Sequence, residues 1–396
     1  MLSTSSLKRW LFVHKWTSLI CTVFLLMLCI TGLPLIFTHE IEHALGDHPE
    51  PLDLPTGTAR TSLDTIVARA EAASPDAVVQ FVSTDPDEAN LWYVGMGETA
   101  DAVEVSVFYT LDARTADILD TWTPNDDKTL MDIIFRLHYD MFAGLPGTLF
   151  LGAMGLLFVV ALVSGVVVYA PFMQKLRFGT VRKHKANRAK WLDLHNLLGI
   201  ATALWLLVVG ATGVINTLAI PIYGLWQQTE LADMTRPYRN DAATGEFSSA
   251  EQAVASALAH APGMKLSFLS FPGNDFSGPH HYVAYMRGTE PFSSRLLQPI
   301  LIDTTNSHVI DSREMPLYAK VLLLSQPLHF GDYGGMPLKI LWALLTCIAI
   351  VVLGSGVYLW LQKRKIPLDA RLRALQFGAE ETNSPSVVYV RLPENS

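Results

Sequence analysis

The sequence predicts an α-helical membrane protein in which four transmembrane helices form two repeated units, each enclosing a small α+β domain outside the membrane. Three observations predict it. Half of the 396 residues are hydrophobic, and the apolar residues concentrate in four long uncharged runs. Basic residues cluster at alternate ends of those runs. The second half of the chain also repeats motifs of the first.

Residues 1–38 read as a basic N-terminus and a first span. Thr17 to Phe37 carries no charge over 21 residues, about 31 Å of helix at about 1.5 Å per residue, enough to cross the hydrocarbon core. The run exceeds the apolar core of a signal peptide, and Leu33-Pro34-Leu35-Ile36 offers no small-residue cleavage site, so it reads as a retained helix. Residues 39–137 read as a first outside domain. Ser62 to Ala73 has helical periodicity, and "VVQFVST", "NLWYVGMG" and "VEVSVFYTLDARTADIL" then alternate like strands with a turn. Residues 138–174 form the second span around uncharged Leu145–Met173, 175–192 a short basic loop, and 193–224 the third span, most of it in uncharged Asn196–Trp226. Residues 225–328 repeat the helix-then-strands order in Ser249–Ala259, "KLSFLSFPG", "HHYVAYMRG" and "PILIDTTNSHVIDS". The fourth span occupies 329–362 around uncharged Ile340–Gln362, and 363–396 is a tail.

Lys8, Arg9 and Lys15 precede the first span. Lys175, Arg177, Arg182, Lys183, Lys185, Arg188 and Lys190 crowd the loop after the second, and Lys363, Arg364 and Lys365 follow the fourth. The positive-inside rule places all three clusters, and both termini, in the cytoplasm. Both long connections, roughly 40–137 and 225–330, then lie outside. The first, 40–137, holds 20 acidic residues against 5 basic ones, which disfavours nucleic acid as a partner. Cys21, Cys29 and Cys347 all sit within spans, so no disulfide framework or thiolate metal cluster is expected.

"LHYDMFAGLPG" at 137–147 aligns with "LHFGDYGGMPL" at 328–338, and the same offset carries Ser164-Gly165-Val166 onto Ser355-Gly356-Val357. A second offset sets His14 on His195 and Thr31-Gly32 on Thr212-Gly213. The two units are therefore parallel repeats rather than inverted ones.

Four of the twelve histidines occupy equivalent mouths: His14 and His195 at the inner ends of spans one and three, His138 and His329 at the outer ends of spans two and four. A histidine at a helix end also serves simply to keep a polar tip wet. Recurrence in all four related helices favours ligation instead, because an interfacial residue has no reason to recur at each repeat-related position. An axial haem ligand needs a neutral imidazole nitrogen, with the other ring nitrogen held by an acceptor. The pattern predicts two b-type haems, with His14 and His195 as axial ligands of one and His138 and His329 of the other. Gly32, Gly199 and Gly335 are expected to let a porphyrin approach the backbone. The chain has no C-x-x-C-H, which excludes covalent c-type attachment.

"HEIEH", His39 to His43, matches H-E-x-x-H, in which two histidines on one helical face hold zinc and the glutamate activates water. It runs from a span into a Pro-rich acidic stretch without a third ligand at a protease spacing. A metal or substrate contact by His39, Glu40 and His43 near the outer haem is the stronger expectation.

"VHKWTSLICTVFLLMLCITGLPLIFTHEIEH", "WLDLHNLLGIATALWLLVVGATGVIN" and the pair "LHFGDYGGMPLKILWALL" and "GSGVYLWLQKRK" resemble the PepSY-associated transmembrane proteins of bacterial inner membranes. The resemblance spans nearly the whole chain, with the outside domains corresponding to PepSY domains; its more specific parts are H-x-W followed by TG, and HFG followed by G and P. One departure is that His138 is followed by Tyr139-Asp140-Met141-Phe142 rather than a second FGDYG. The family includes iron-regulated proteins and di-haem reductases that release iron from ferric siderophores. The resemblance implies His14 and His195 as the inner haem pair and His138 and His329 as the outer pair. It further implies reduction of a ferric siderophore or other ferric complex in the periplasm. No Gly-rich dinucleotide fingerprint occurs in the cytoplasmic segments, so the electron donor is expected to be quinol or a cytoplasmic reductant. Two other classes stay open: a non-catalytic PepSY module that binds or regulates a peptidase or uptake partner, and a metal-dependent protease acting through His39-Glu40-His43.

Overall fold

Ser3 is extended and accepts a hydrogen bond from the Ser6 N–H, and from this cap helix α1 (Thr4–Leu35) runs for 32 residues. The computed structural model describes residues 3–85, 88–124, 129–173, 179–182, 187–238, 247–290 and 293–364. Lys175, Arg177, Lys183, His184 and Lys185 of the basic loop, and the tail from Lys365 onward, lie outside the described residues. Pro34 in the last turn withholds an N–H, and α1 gives way after one turn to the short α2 (Thr38–Leu45).

Residues 62–122 build the first α+β segment. The Ser62 side chain caps α3 (Leu63–Ala73), which precedes β1 (Val78–Thr84), β2 (Leu91–Gly97), β3 (Val107–Asp112) and β4 (Ile118–Trp122). A capping box between Thr129 and Asp132 opens α4 (Leu130–Tyr139). Asp140 then stops that helix, since its carboxylate accepts the N–H groups of Phe142 at 2.8 Å and Gly144 at 3.2 Å. Chain direction resets there into α5 (Gly144–Met173).

After α6 (Asn187–Asn216) come α7 (Ala219–Trp226), a single π-helical turn at Gln227–Leu231 and α8 (Ala232–Thr235). The uncharged stretch Asn196–Trp226 is therefore two helices rather than one continuous span. Pro221 in the first turn of α7 has no N–H to continue α6. The second α+β segment comprises α9 (Ala250–His260), β5 (Lys265–Ser270), β6 (His281–Arg287), β7 (Leu297–Asp303) and β8 (Val309–Ser312). It leads into α10 (Leu317–Phe330), which ends at left-handed Gly331, and α11 (Gly335–Arg364).

Among the described residues, α1, α5, α6 and α11 contain the four stretches long and apolar enough to cross a membrane. Helix α1 packs on α5 and α11, and α6 packs on the same two, so α1 and α6 lie on one diagonal of a four-helix bundle. Outward-facing Ile20, Val23, Leu204 and Leu344 are exposed apolar residues, as a lipid-facing surface requires.

One feature of the outside region departs from two separate domains. The eight strands form a single antiparallel sheet in the order β4-β3-β2-β1-β5-β6-β7-β8. Its halves join where β1 pairs with β5 through Phe81 and Ser270, Val82 and Leu269, and Ser83 and Phe268. Helices α3 and α9 lie together over it, burying Ile66, Ala70, Ala253 and Ala257 against Val82, Val94, Leu269 and Ala284. Their N-termini cap each other: Asp64 accepts the Ala250 N–H at 2.7 Å, and Glu251 accepts the Leu63 N–H at 2.7 Å. A second apolar core, with Trp226, Met234, Tyr285, Leu301, Ala319 and Leu323, fastens the sheet to α7, α8 and α10. Two separate four-stranded sheets would leave β1 and β5 as additional bare edges, which their pairing removes, so that only β4 and β8 remain at the sheet's edges.

Candidate functional site

Each of the four mouth histidines sits against a glycine of a facing helix that directly follows a buried hydroxyl residue. His14 of α1 donates from Nδ1 to the Ala161 carbonyl of α5 at 2.8 Å, and its ring edge fills the space beside Gly165, where an added Cβ would stand 3.0 Å away. His195 of α6 lies 3.1 Å from the Val352 carbonyl and 2.9 Å from the Ser355 hydroxyl of α11, with Gly356 beside its ring. His138, on α4 rather than at the start of α5, meets the Thr31 hydroxyl of α1 at 2.9 Å and rests against Gly32. His329, on α10 rather than α11, donates to the Val209 carbonyl of α6 at 2.9 Å and rests against Gly213. The hydroxyl residues Ser164, Ser355, Thr31 and Thr212 are all buried.

These contacts set the tautomer. A carbonyl oxygen only accepts, so Nδ1 of His14, His195 and His329 carries the proton. The Thr31 hydroxyl already donates to Met27 O at 2.8 Å, so it too accepts from His138 Nδ1–H. In every case Nε2 keeps its lone pair, the form in which imidazole ligates a metal. No hydrogen bond occupies any of these four Nε2 atoms among the described residues.

Helix periodicity explains the two levels. His14 and Gly32 are 18 residues apart on α1, and His195 and Gly213 are 18 apart on α6. At 3.6 residues per turn that is about five whole turns, so both lie on one face, about 27 Å apart along the axis. The outer rings, His138 and His329, are brought together with centroids 6.4 Å apart. Two imidazoles bound through nitrogens at about 2 Å from one metal have ring centres about 6 Å apart, so this pair fits a shared iron. His14 and His195 share the opposite end, close enough to interact electrostatically.

Several glycines seat imidazole rings. At Gly32 the missing Cβ makes room for the His138 ring, with Cε1 3.1 Å from where it would stand. Gly199 faces only Val352, and Gly335 has open space but a φ of +62°, which starts α11 in a conformation other residues adopt at a cost. Gly165, Gly213 and Gly356 are the further seats. Their signal lay in the SG and TG dipeptides that recur with the histidines, which spacing alone does not turn into contacts.

The HEIEH segment forms α2, which sets His39 and His43 one helical turn apart with ring centroids at 4.5 Å. Glu40 points elsewhere: Lys339 of α11 donates to its carboxylate at 2.7 Å. Burial raises the Glu40 carboxyl, but the Lys339 hydrogen bond and charge outweigh it and hold the group below its ordinary range. The place expected for Glu40 beside the two imidazoles is taken by His48, to which sequence spacing assigns nothing, with its ring 5.0 Å from His39 and 4.3 Å from His43. Burial, then the neighbouring His43 and His39, push the His48 imidazole below its usual range.

Residues 11–363 match the model of the PepSY-associated TM region family. An uncharacterized protein of Pseudomonas aeruginosa is 27% identical over 267 residues, covering 62% of this chain and 67% of that protein. The match takes in most of the first apolar helix, the other three apolar spans and the whole sheet. The chain therefore belongs to the PepSY-associated TM region family, as a membrane protein that carries an antiparallel α+β domain.

Proposed function

We propose that the chain is a bacterial inner-membrane electron-transfer protein that holds two b-type haems and reduces a ferric siderophore or another ferric complex in the periplasm. Electrons come from the cytoplasm or the quinol pool. His14 and His195 hold the inner group and His138 and His329 the outer one. The observation that carries this reading is the fourfold arrangement of a buried hydroxyl-glycine pair, an Nδ1-protonated imidazole and an uncommitted Nε2, with the outer rings 6.4 Å apart. Such an arrangement at four equivalent places also supports a duplicated helix–domain–helix unit. When bound, haem supplies one-electron transfer that needs no proton or group transfer.

The chain's own residues do three things in this scheme. Backbone carbonyls and hydroxyls fix each ring's tautomer and rotation. Glycines let the rings lie flush against the facing helix. The apolar bundle keeps water from the spans, in which charged groups are costly. Basic residues flanking α1, the 175–192 loop and the end of α11 support cytoplasmic termini and a periplasmic sheet.

The visible spectrum of full-length protein purified under haem-sufficient conditions tests the proposal. Reducible Soret and α-bands with about two non-covalent haems per chain are expected. A fully folded preparation that binds no haem would leave the non-catalytic PepSY membrane module as the reading. The protease reading is weakened by Glu40, whose carboxylate is engaged by Lys339.

A further inference from the structure

We propose that His39, His43 and His48 form a three-imidazole site for a borderline divalent transition-metal ion, of the class of Zn²⁺ or Co²⁺, on the outer side of the bundle. The site is separate from the four mouth histidines and does not rest on their reading as haem ligands.

Local structure brings the three rings together. His39 and His43 share a face of α2 because they are four residues apart. Gly46, at φ +77°, ends the helix, while Asp47 N–H donates to Glu42 O at 2.9 Å and Gly46 N–H to His43 O at 3.2 Å. That left-handed stop turns the chain back, and His48 returns over the helix end. The three ring centroids are 4.5, 5.0 and 4.3 Å apart. Three imidazoles each about 2 Å from one ion, at angles of about 90–110°, have ring centres about 4.5–5 Å apart. One ligand nitrogen from each ring lies within 4.8 Å of the other two.

An independent observation points to a ligand. Nε2 of His48 is buried and has no hydrogen-bond partner, an arrangement that costs free energy unless something occupies the lone pair. His43 is exposed, which leaves a path for an ion from solvent. Its Nδ1 lies 3.5 Å from a Glu50 carboxylate oxygen, the kind of acceptor that orients a ligating ring. Neutral imidazoles select borderline ions such as zinc over hard calcium or magnesium, which prefer oxygen. With Glu40 held by Lys339, the site lacks the carboxylate of H-E-x-x-H hydrolysis, so the assignment is binding rather than proteolysis.

The test is equilibrium dialysis of chelator-treated, full-length, untagged protein in nanodiscs against Co²⁺, with bound metal counted by mass spectrometry and Zn²⁺ as competitor. One saturable, Zn²⁺-displaceable Co²⁺ per chain is expected. His39→Ala, His43→Ala and His48→Ala should each weaken it at least about tenfold, while His260→Ala and His308→Ala leave it unchanged. His48→Gln, which keeps size and polarity in a residue outside the helix, guards against misfolding of the alanine variants and should lose affinity equally. No saturable Co²⁺, or full affinity in His48→Gln, overturns the three-ligand site, as does Co²⁺ binding that persists when all three histidines are replaced.

Discussion

His138 and His329, 191 positions apart in the chain, face each other with ring centroids 6.4 Å apart at the end of the helix bundle nearer the sheet. Each ring rests on a Thr-Gly pair of a different helix, Thr31-Gly32 of α1 and Thr212-Gly213 of α6. The pair is thus held by four helices, and moving either ring requires repacking a helix contact.

Replacing either outer histidine should therefore remove one haem and leave the other. His329→Ala is expected to bind about one haem per chain where the parent binds about two. A pyridine haemochrome count that stays at two in this variant would mean that His329 is not an axial ligand.

The inner pair separates by direction of electron entry. His14→Ala and His195→Ala should lose the inner haem and abolish reduction from the cytoplasmic face of inverted vesicles, while dithionite still reduces the outer haem. Unchanged spectra together with unchanged cytoplasm-driven reduction would refute the inner assignment.

The glycine seats give a test that leaves every histidine in place. A Cβ at Gly213 would stand 2.9 Å from His329 Cε1, so Gly213→Val must push the ring aside. Outer-haem occupancy should fall roughly tenfold. Gly199→Ala places its Cβ no nearer than 3.9 Å to Val352 and should leave both haems in place. Equal spectra in the two variants would show that close seating of the ring is unimportant.

Joint replacement of His39 and His43 by Ala should spare both haem signals, because the outer rings already pair with each other. Slower oxidation of the reduced protein by a ferric siderophore is expected, since α2 lies beside the start of α11. Loss of a haem band in that variant would make His39 or His43 an axial ligand in place of His138 or His329.

Asp112, ion-paired to Arg114 at 2.7 Å, gives the sheet a carboxylate that acid should disrupt. Burial acts to raise its carboxyl, but hydrogen bonds from Arg114 and Leu52, with the Arg114 charge, bring it down to about 2. A carboxyl depressed in the folded state contributes stability that is complete above its unfolded value of about 4 and lost as pH falls toward 2. Asp112→Asn should lower stability at neutral pH by about 2 kcal/mol and flatten the melting temperature between about pH 4 and pH 2. A variant that retains the parent's acid slope would assign that slope to other carboxylates.

Much of the outside fold was legible because strand alternation is a one-dimensional signal. "VVQFVST" became β1 and "NLWYVGMG" contains β2, and the second set matched likewise. The helix break before α7 was harder to read, since Asn196–Trp226 stays apolar throughout and only Pro221 marks the change. His48 was unreadable as a partner of His39 and His43, because its approach depends on the left-handed turn at Gly46 rather than on helical spacing.

By itself, the sequence determined the four apolar helices, the charge asymmetry of their ends and the recurrence of His14, His138, His195 and His329. Hydropathy, charge and repetition are properties of order along the chain, and they survive without knowledge of what touches what. Tertiary structure alone decided that β1 and β5 join two outside segments into one sheet, and that Gly32 and Gly213 seat imidazoles. It also decided that Glu40 turns to Lys339, 299 positions away, and leaves its neighbours to His48. Those outcomes depend on which faces of distant elements meet and in what register, and packing rather than local periodicity selects the face.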